Sequence, residues 1–251
     1  MKTVILYEDQ DILVCKKPAG FAVQSARASQ MDMESELRNY LHGGGLYVIH
    51  RLDQPVEGLL VFAKNRGAAA KLGVQMQSGQ MRKDYRALVC GKLPQEEGEL
   101  VDEIIKTGNG AGAVVTAGAQ KTEEGGSGSG NRDIKEGVTA GAKDRGGDAR
   151  TDAASRRAVL SYQVESYDTD INVSNVKINL QTGRFHQIRL QFSHAGHPLV
   201  GDRKYGDARA MAAAEALGLS YVALCAERLR FFHPRTGKEM DFCAAPSFHK
   251  K

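Results

Sequence analysis

The sequence predicts a mixed α/β domain of the α+β kind, on three observations. Short runs of β-forming residues recur along the chain, and one of them alternates cleanly: Val176, Ile178 and Leu180 against Lys177, Asn179 and Gln181. Segments with helical spacing and cap residues lie between some of these runs, as where Asn65 precedes Arg66 to Gln77. The 251 residues, 41% hydrophobic and 25% charged, suffice for one large domain or two small ones.

Taken in order, residues 2–7 and 12–16 read as two strands joined by the acidic turn Glu8 to Asp11. Lys17-Pro18-Ala19-Gly20 is a turn, because proline fixes φ and glycine permits φ above zero. Ser29 and Asp32 have capping-box spacing and open a helix to Leu41, which Gly43-Gly44-Gly45 stops. Leu46 to Ile49 and Gly58 to Ala63 are buried strands on either side of a polar break containing Asp53. The helix Arg66 to Gln77 ends by Gly79. Arg82 to Leu93 is a strand with Tyr85, Ala87 and Val89 on one face, and Glu99 to Ile105 is another.

From Gly108 to Ser155 the composition changes. The segment holds twelve of the chain's 28 glycines and no aromatic residue, with Ile134 its only Ile, Leu, Met or Phe. Such a segment buries too little apolar surface to offset its ordering entropy, so 108–155 is expected to be a mobile or disordered insertion. Residues 1–107 and 156–251 then make one domain. Strands resume at Ala158 to Ser166 and Asn172 to Gln181. Phe185 to His194 is a helix burying Phe185, Ile188 and Phe192, and Ala208 to Leu217 is an alanine-rich helix. Tyr221 to Phe232 and Lys238 to Cys243 close the chain as a hairpin around His233-Pro234-Arg235-Thr236-Gly237.

The formal charge of +4 permits a nucleic-acid partner without requiring one. Cys15, Cys90, Cys225 and Cys243 are widely spaced, which argues against a disulfide framework or a zinc site. No apolar run approaches the roughly 20 residues that cross a bilayer, and the start lacks a signal-peptide core. A cytoplasmic protein without a membrane partner is expected.

Polar spots in this scaffold carry the candidate chemistry: His50-Arg51-Leu52-Asp53, Lys83-Asp84-Tyr85, Thr182-Gly183-Arg184-Phe185-His186-Gln187-Ile188-Arg189, and Gly201-Asp202 with Lys204-Tyr205-Gly206. Read alone, Asp53 is a turn residue, Tyr85 a core residue and Arg184 a surface ion-pair residue. In this order, with Lys17-Pro18-Ala19-Gly20 ahead of them and His233-Pro234 behind, the chain resembles the RluA-type RNA pseudouridine synthases from about residue 4 to Pro246.

The resemblance implies a single catalytic domain whose mixed, largely antiparallel sheet with flanking helices floors an RNA cleft. It implies isomerisation of uridine to pseudouridine in rRNA or tRNA on a flipped-out nucleotide, without cofactor or metal. Asp53 is similar in position to the family's essential aspartate, which acts as a nucleophile or by promoting glycal formation. Tyr85 matches the active-site tyrosine that stacks on the base and takes part in proton removal. Arg184 matches the arginine that pairs with the aspartate, and Arg51 the residue that enters the RNA helix. His186 and Arg189 are expected to pack the helix and face RNA phosphates, and Asp202 to brace a loop. His50 receives no catalytic role.

The physics is consistent with these roles. A carboxylate in a partly dry pocket needs a guanidinium partner to stay ionised, and a target bond inside an RNA helix is reachable only by base flipping onto a stacking surface. Glu57 departs from the family pattern and either alters the local charge or points away. About a dozen residues precede Lys16-Lys17, too few for an S4-type RNA-binding domain, so specificity is expected to come from the catalytic domain itself; a monomer is expected. The rival readings are a non-catalytic RNA-binding or RNA-folding factor with the same cleft, and a magnesium-dependent aspartate hydrolase or phosphotransferase. Gln54-Pro55-Val56 offers the latter no second acid.

Overall fold

The computed structural model describes residues 2–25, 30–106, 113–117 and 155–248. Among these residues eleven strands and four helices follow one another as β1 (Val4–Glu8), β2 (Ile12–Lys17), α1 (Met33–Tyr40), β3 (Tyr47–Val48), β4 (Glu57–Ala63), α2 (Arg66–Gln77), β5 (Arg82–Cys90), β6 (Glu97–Lys106), β7 (Ala113–Ala117), β8 (Arg156–Asp168), β9 (Val173–Leu180), α3 (Gln187–His194), α4 (Ala208–Ala216), β10 (Leu224–Phe232) and β11 (Glu239–Cys243). All strands join one sheet in the order β1-β2-β4-β10-β5-β9-β8-β6-β7, with β3 added to β4 and β11 to β10. Every pairing is antiparallel except β4 with β10. The mixed, largely antiparallel sheet expected from the family resemblance is therefore the one observed.

Local chemistry explains most element boundaries. Asn65 caps α2 by accepting a bond from Ala68 N, so the helix spans the residues that the sequence predicts. For α1 the cap is Asp32 itself, which accepts from Ser35 N; Ser29 lies outside the described residues. Five residues of the glycine-rich segment, Ala113–Ala117, differ from the expectation of disorder and pair antiparallel with β6. Three of these five are Val114, Val115 and Thr116, which are β-branched and suit a strand beside an open edge. Otherwise the segment, up to residue 154, lies outside the described residues.

The two faces of the sheet are covered differently. One carries Leu13, Leu60, Phe62, Tyr85, Ala87 and Ile178 beneath Met33 and Leu37 of α1 and Ile188 and Phe192 of α3. The other carries Ile12, Leu59, Val61 and Phe231 beneath Ala68 and Leu72 of α2. Every residue of β4 is buried, because this strand is covered on both faces. Gly58, at φ +128°, stands where β4 meets β10; a Cβ there would lie 2.4 Å from Ala226 N, so only glycine allows the parallel pairing to begin. That junction immediately follows the loop carrying Asp53. The loop is thus tied to the rigid centre of the sheet.

Candidate active site

Asp53 sits between two anchors. Leu52 and Val56 are both buried, and Val56 N donates to Asp53 O at 3.0 Å, closing a tight turn. The carboxylate between them is left 28% exposed at the floor of a cavity of about 920 Å³. That cavity brings together all six residues singled out in the sequence, Arg51, Asp53, Tyr85, Arg184, His186 and Arg189.

Its electrostatic centre differs from the expected one in one respect. The partner of Asp53 is Arg189, whose Nη1 donates to Asp53 Oδ2 at 3.0 Å. Arg184 instead donates from Nε to Arg157 O at 2.9 Å and stays at the cavity rim. The local fold explains the exchange. The helix begins only at Gln187, and the loop before it is braced by Gln187, whose Oε1 accepts from Arg184 N and Thr182 Oγ1. This directs Arg184 along β8. Arg189 lies within the helix, where every residue from Gln187 to Phe192 is buried, and its guanidinium must find acids inside the protein.

It finds two. Arg189 forks onto Asp202 through Nε and Nη2, both at 2.7 Å, while its third nitrogen reaches Asp53. Asp202 is 1% exposed and also accepts from the backbone N–H groups of Lys204 and Tyr205. Burial works to raise its pKa, but the bonds and charge of Arg189 outweigh burial and hold it below the usual carboxylate value. Asp202 thus braces its loop, as expected, and also fixes the direction of Arg189. Arg189 is therefore an inner ion-pair residue, not a phosphate-facing one.

His186 borders the same carboxylate, with Nε2 3.6 Å from Asp53 Oδ2 and Nδ1 2.7 Å from Tyr205 Oη. Its backbone is left-handed, at φ +52°, ahead of α3. Strained backbone of this kind concentrates at functional sites. The ring stacks on Phe185 with centroids 3.7 Å apart, so Phe185 is a half-buried cavity residue and not part of the core. Burial depresses the imidazole pKa to about 4, with Asp53 opposing and Arg189 adding to the shift. His186 is neutral at physiological pH. Tyr85 projects from β5 onto the cavity, and burial followed by the charge of Asp53 raises its phenol above the ordinary value.

Two groups behind the loop complete the scaffold. Lys17 is fully buried, and its ammonium donates to Pro18 O at 3.0 Å, Phe21 O at 2.7 Å and Gln54 O at 3.0 Å. Burial draws its pKa down to about 7, while the charges of Asp53 and Glu57 resist the fall. Three N–H donors meet three carbonyls, two from the turn after β2 and one from the Asp53 loop. The turn residues around it are legible in the sequence, but nothing marks this lysine as buried. Replacing it with methionine removes all three bonds at once. Lys17→Met is expected to lower stability by roughly 2–3 kcal/mol and to loosen the loop, as read by urea denaturation and by RNA conversion. Unchanged stability would contradict the strut.

Glu57 points away from the cavity. Its Oε1 accepts from Ser247 N at 2.6 Å and Ser247 Oγ at 2.9 Å, and Lys16 lies 3.8 Å from Oε2. Glu57 thus ties Ser247 to β4 and takes the second of the two expectations for it, pointing away from the cavity.

His50 is buried at the wall of the cavity. Its Nε2 accepts from Val61 N at 3.5 Å, and burial, with a contribution from Lys83, lowers its pKa to about 3. Both His50 and His186 therefore bind a proton in the unfolded chain near the reference value of about 6.5 but not in the folded one until lower pH. The unfolded state holds more protons between these limits, so stability is intact above about pH 6.5 and falls as pH drops towards 4. The expected slope is about 1.4 kcal/mol per pH unit for each histidine. Denaturation at pH 7, 6 and 5 measures it, and His186→Asn, which tolerates a left-handed backbone, should reduce the slope by about one proton.

One group elsewhere has metal-ligand spacing among the described residues, Asp9, Asp11 and His233. Two of its members already pair, His233 Nε2 lying 2.8 Å from Asp9 Oδ2, and Arg235 outside the group pairs with Asp11. No described helix is long and apolar enough to cross a membrane.

Comparison with known proteins agrees with this geometry. Residues 11–194 match the model of the RNA pseudouridylate synthase family. The chain is 32% identical to tRNA pseudouridine synthase C of Pasteurella multocida over 249 residues, covering 97% of this chain and 91% of that one. It is 30% identical to ribosomal large subunit pseudouridine synthase C of Haemophilus influenzae over 246 residues, where it spans 98% of itself but only 66% of the relative's length. The solved structure of human RNA pseudouridylate synthase domain containing 4 superposes with a TM-score of 0.69 at 21% identity, covering 97% of this chain and 88% of that one, which supports the fold. With its matching sequence, sheet and aspartate-centred cavity, this chain belongs to the RNA pseudouridylate synthase family.

Proposed function

We propose that the chain isomerises uridine to pseudouridine at a site in structured rRNA or tRNA. One observation carries the reading: a single carboxylate, Asp53, is presented at the floor of a nucleotide-sized cavity by a guanidinium that a buried second carboxylate holds in place. The target nucleotide leaves its helix and enters this cavity, and Arg51, exposed at the rim, takes the vacated place. Tyr85 stacks on the uracil ring. Asp53 initiates cleavage of the N1–C1′ bond, either by bonding to C1′ or by drawing a proton from C2′. The uracil carries away the electron pair, turns, and forms the C5–C1′ bond as the Asp53–C1′ bond breaks or, on the other route, as C2′ takes its proton back from Asp53; the C5 proton then leaves and N1 gains one.

Tyr85 enters this sequence as a neutral phenol. Burial, followed by the charges of Asp53 and Cys225, raises the phenol's pKa, so Tyr85 meets the base as a neutral stacking surface. Arg184, with its backbone bond to residue 157, and His186 line the substrate's path. The chain works as a cytoplasmic monomer and uses neither metal nor cofactor.

The test is modification mapping. Carbodiimide-dependent reverse-transcription stops across all stable RNAs, from cells with and without this gene, should differ at one or a few uridines. Identical maps would remove the enzymatic reading. They would favour a non-catalytic RNA-binding factor, in which Asp53→Asn leaves biological function intact.

A further inference from the structure

A second cavity, of about 490 Å³, opens on the other side of the Asp53 loop, bordered by Gly20, Gln54, Arg189, Arg203, Lys204 and Tyr221. It shares Gln54 and Arg189 with the first cavity, so the two meet at the turn that carries Asp53. Resting on the reading of this chain as an RNA pseudouridine synthase, we propose that the second cavity is a subsite for a nucleotide next to the target uridine, its base stacked on Tyr221 and its phosphate against Arg203 and Lys204.

The site is built and not merely open. Tyr221 is 48% exposed, although it is a large aromatic side chain. Its ring lies directly on Gly20, where a Cβ would come within 2.3 Å of Tyr221 Cζ. Its carbonyl lies against Gly201, where a Cβ would come within 2.6 Å, and the next residue, Val222, is buried. Two glycines and a core valine thus hold an aromatic surface in a fixed position with part of its area free. The conserved chemistry of a nucleotide supplies what such a surface takes: every base has a π face, so stacking is tolerant of sequence.

The charges suit a phosphate. Arg203 and Lys204 are both exposed. Lys204 Nζ lies 5.3 Å from the Tyr205 ring and 5.7 Å from the Phe185 ring, which places it between the two cavities. The only acid bordering the second cavity among the described residues, Asp202, is already engaged by Arg189 and two backbone N–H groups. The remaining field is positive. A chain that places one nucleotide above Asp53 must lead its neighbour past the shared residues Gln54 and Arg189, and the second cavity lies there. Its volume is within the range of small-ligand sites.

The test uses the full chain with two readouts. The first is the apparent KM and kcat for conversion of total tRNA and rRNA taken from cells lacking this gene. The second is fluorescence of two uridine-centred heptaribonucleotides, with 2-aminopurine on the 5′ or the 3′ side of the uridine. Tyr221→Ala should raise KM roughly tenfold, with the loss falling on KM and not on kcat, and should abolish the quenching that one probe shows with the unaltered protein. Tyr221→Phe keeps both properties. Tyr221→Leu, which keeps bulk over Gly20, behaves like Tyr221→Ala and separates stacking from packing. Arg203→Gln should lower the salt slope of binding by about one.

An unchanged KM in both Tyr221→Ala and Tyr221→Leu would overturn the subsite while leaving the function intact. Absence of any conversion by the unaltered chain, at every RNA tested, would instead overturn the functional reading on which the subsite rests.

Discussion

Arg189→Met is expected to lower stability by about 3–5 kcal/mol and to abolish detectable conversion of RNA. Arg189 is one guanidinium shared by two carboxylates, and one of them, Asp202, is almost wholly buried. Removing the cation leaves Asp202 with two backbone donors and no counter-charge, which is the situation in which breaking a buried pair is most damaging. At the same time Asp53 loses the group that aims it. A lysine cannot repair this, because a single ammonium does not reproduce a fork onto one carboxylate together with a third bond to another. Arg189→Lys should fold but lose activity by about a hundredfold.

The double variant Arg189→Met with Asp202→Leu separates the two effects. With both charges gone, stability should largely return, while activity should not. Arg184→Gln serves as the contrast. Its side chain bonds to a backbone carbonyl at the rim, so its effect should fall on KM, with stability changed by less than about 1 kcal/mol. Urea denaturation and RNA conversion measure all four variants. If Arg184→Gln proved more damaging than Arg189→Lys, the assignment of Arg189 as the partner of Asp53 would be wrong.

This pair of arginines also shows where sequence reading reached its limit. The block from Thr182 to Arg189 marks the right place, and the family resemblance marks the right aspartate. Which guanidinium reaches it depends on where the helix starts, and Gln187 sets that start by bracing the preceding loop with its side chain. A bond of that kind leaves no periodic trace. Helix α2 was legible to its last residue because its signals are local, an asparagine cap and a glycine beyond the end.

The strand Ala113–Ala117 was not legible, because its surroundings are so rich in glycine that composition outweighed three β-branched residues. The direction of Glu57 and the burial of Lys17 were not legible for a related reason. Each side chain is satisfied by atoms far along the chain or by backbone carbonyls, Ser247 in one case and the carbonyl of Gln54 in the other. Only the fold brings those partners near. The sheet itself was easier, since alternation such as that in β9 states both the strand and the face it buries.

On the proposed mechanism the carboxylate of Asp53 performs the first step on uridine. Asp53→Asn keeps the size of the side chain and an oxygen that can still accept from Arg189, so the fold and the cavity should persist, with RNA affinity close to that of the unaltered chain. Only the negative charge is removed. Single-turnover conversion of unmodified RNA, scored as pseudouridine formed per enzyme, tests this most directly. The expected result is ready conversion by the unaltered chain and a loss of at least about a thousandfold in Asp53→Asn with RNA binding retained. Full conversion by Asp53→Asn would contradict the account.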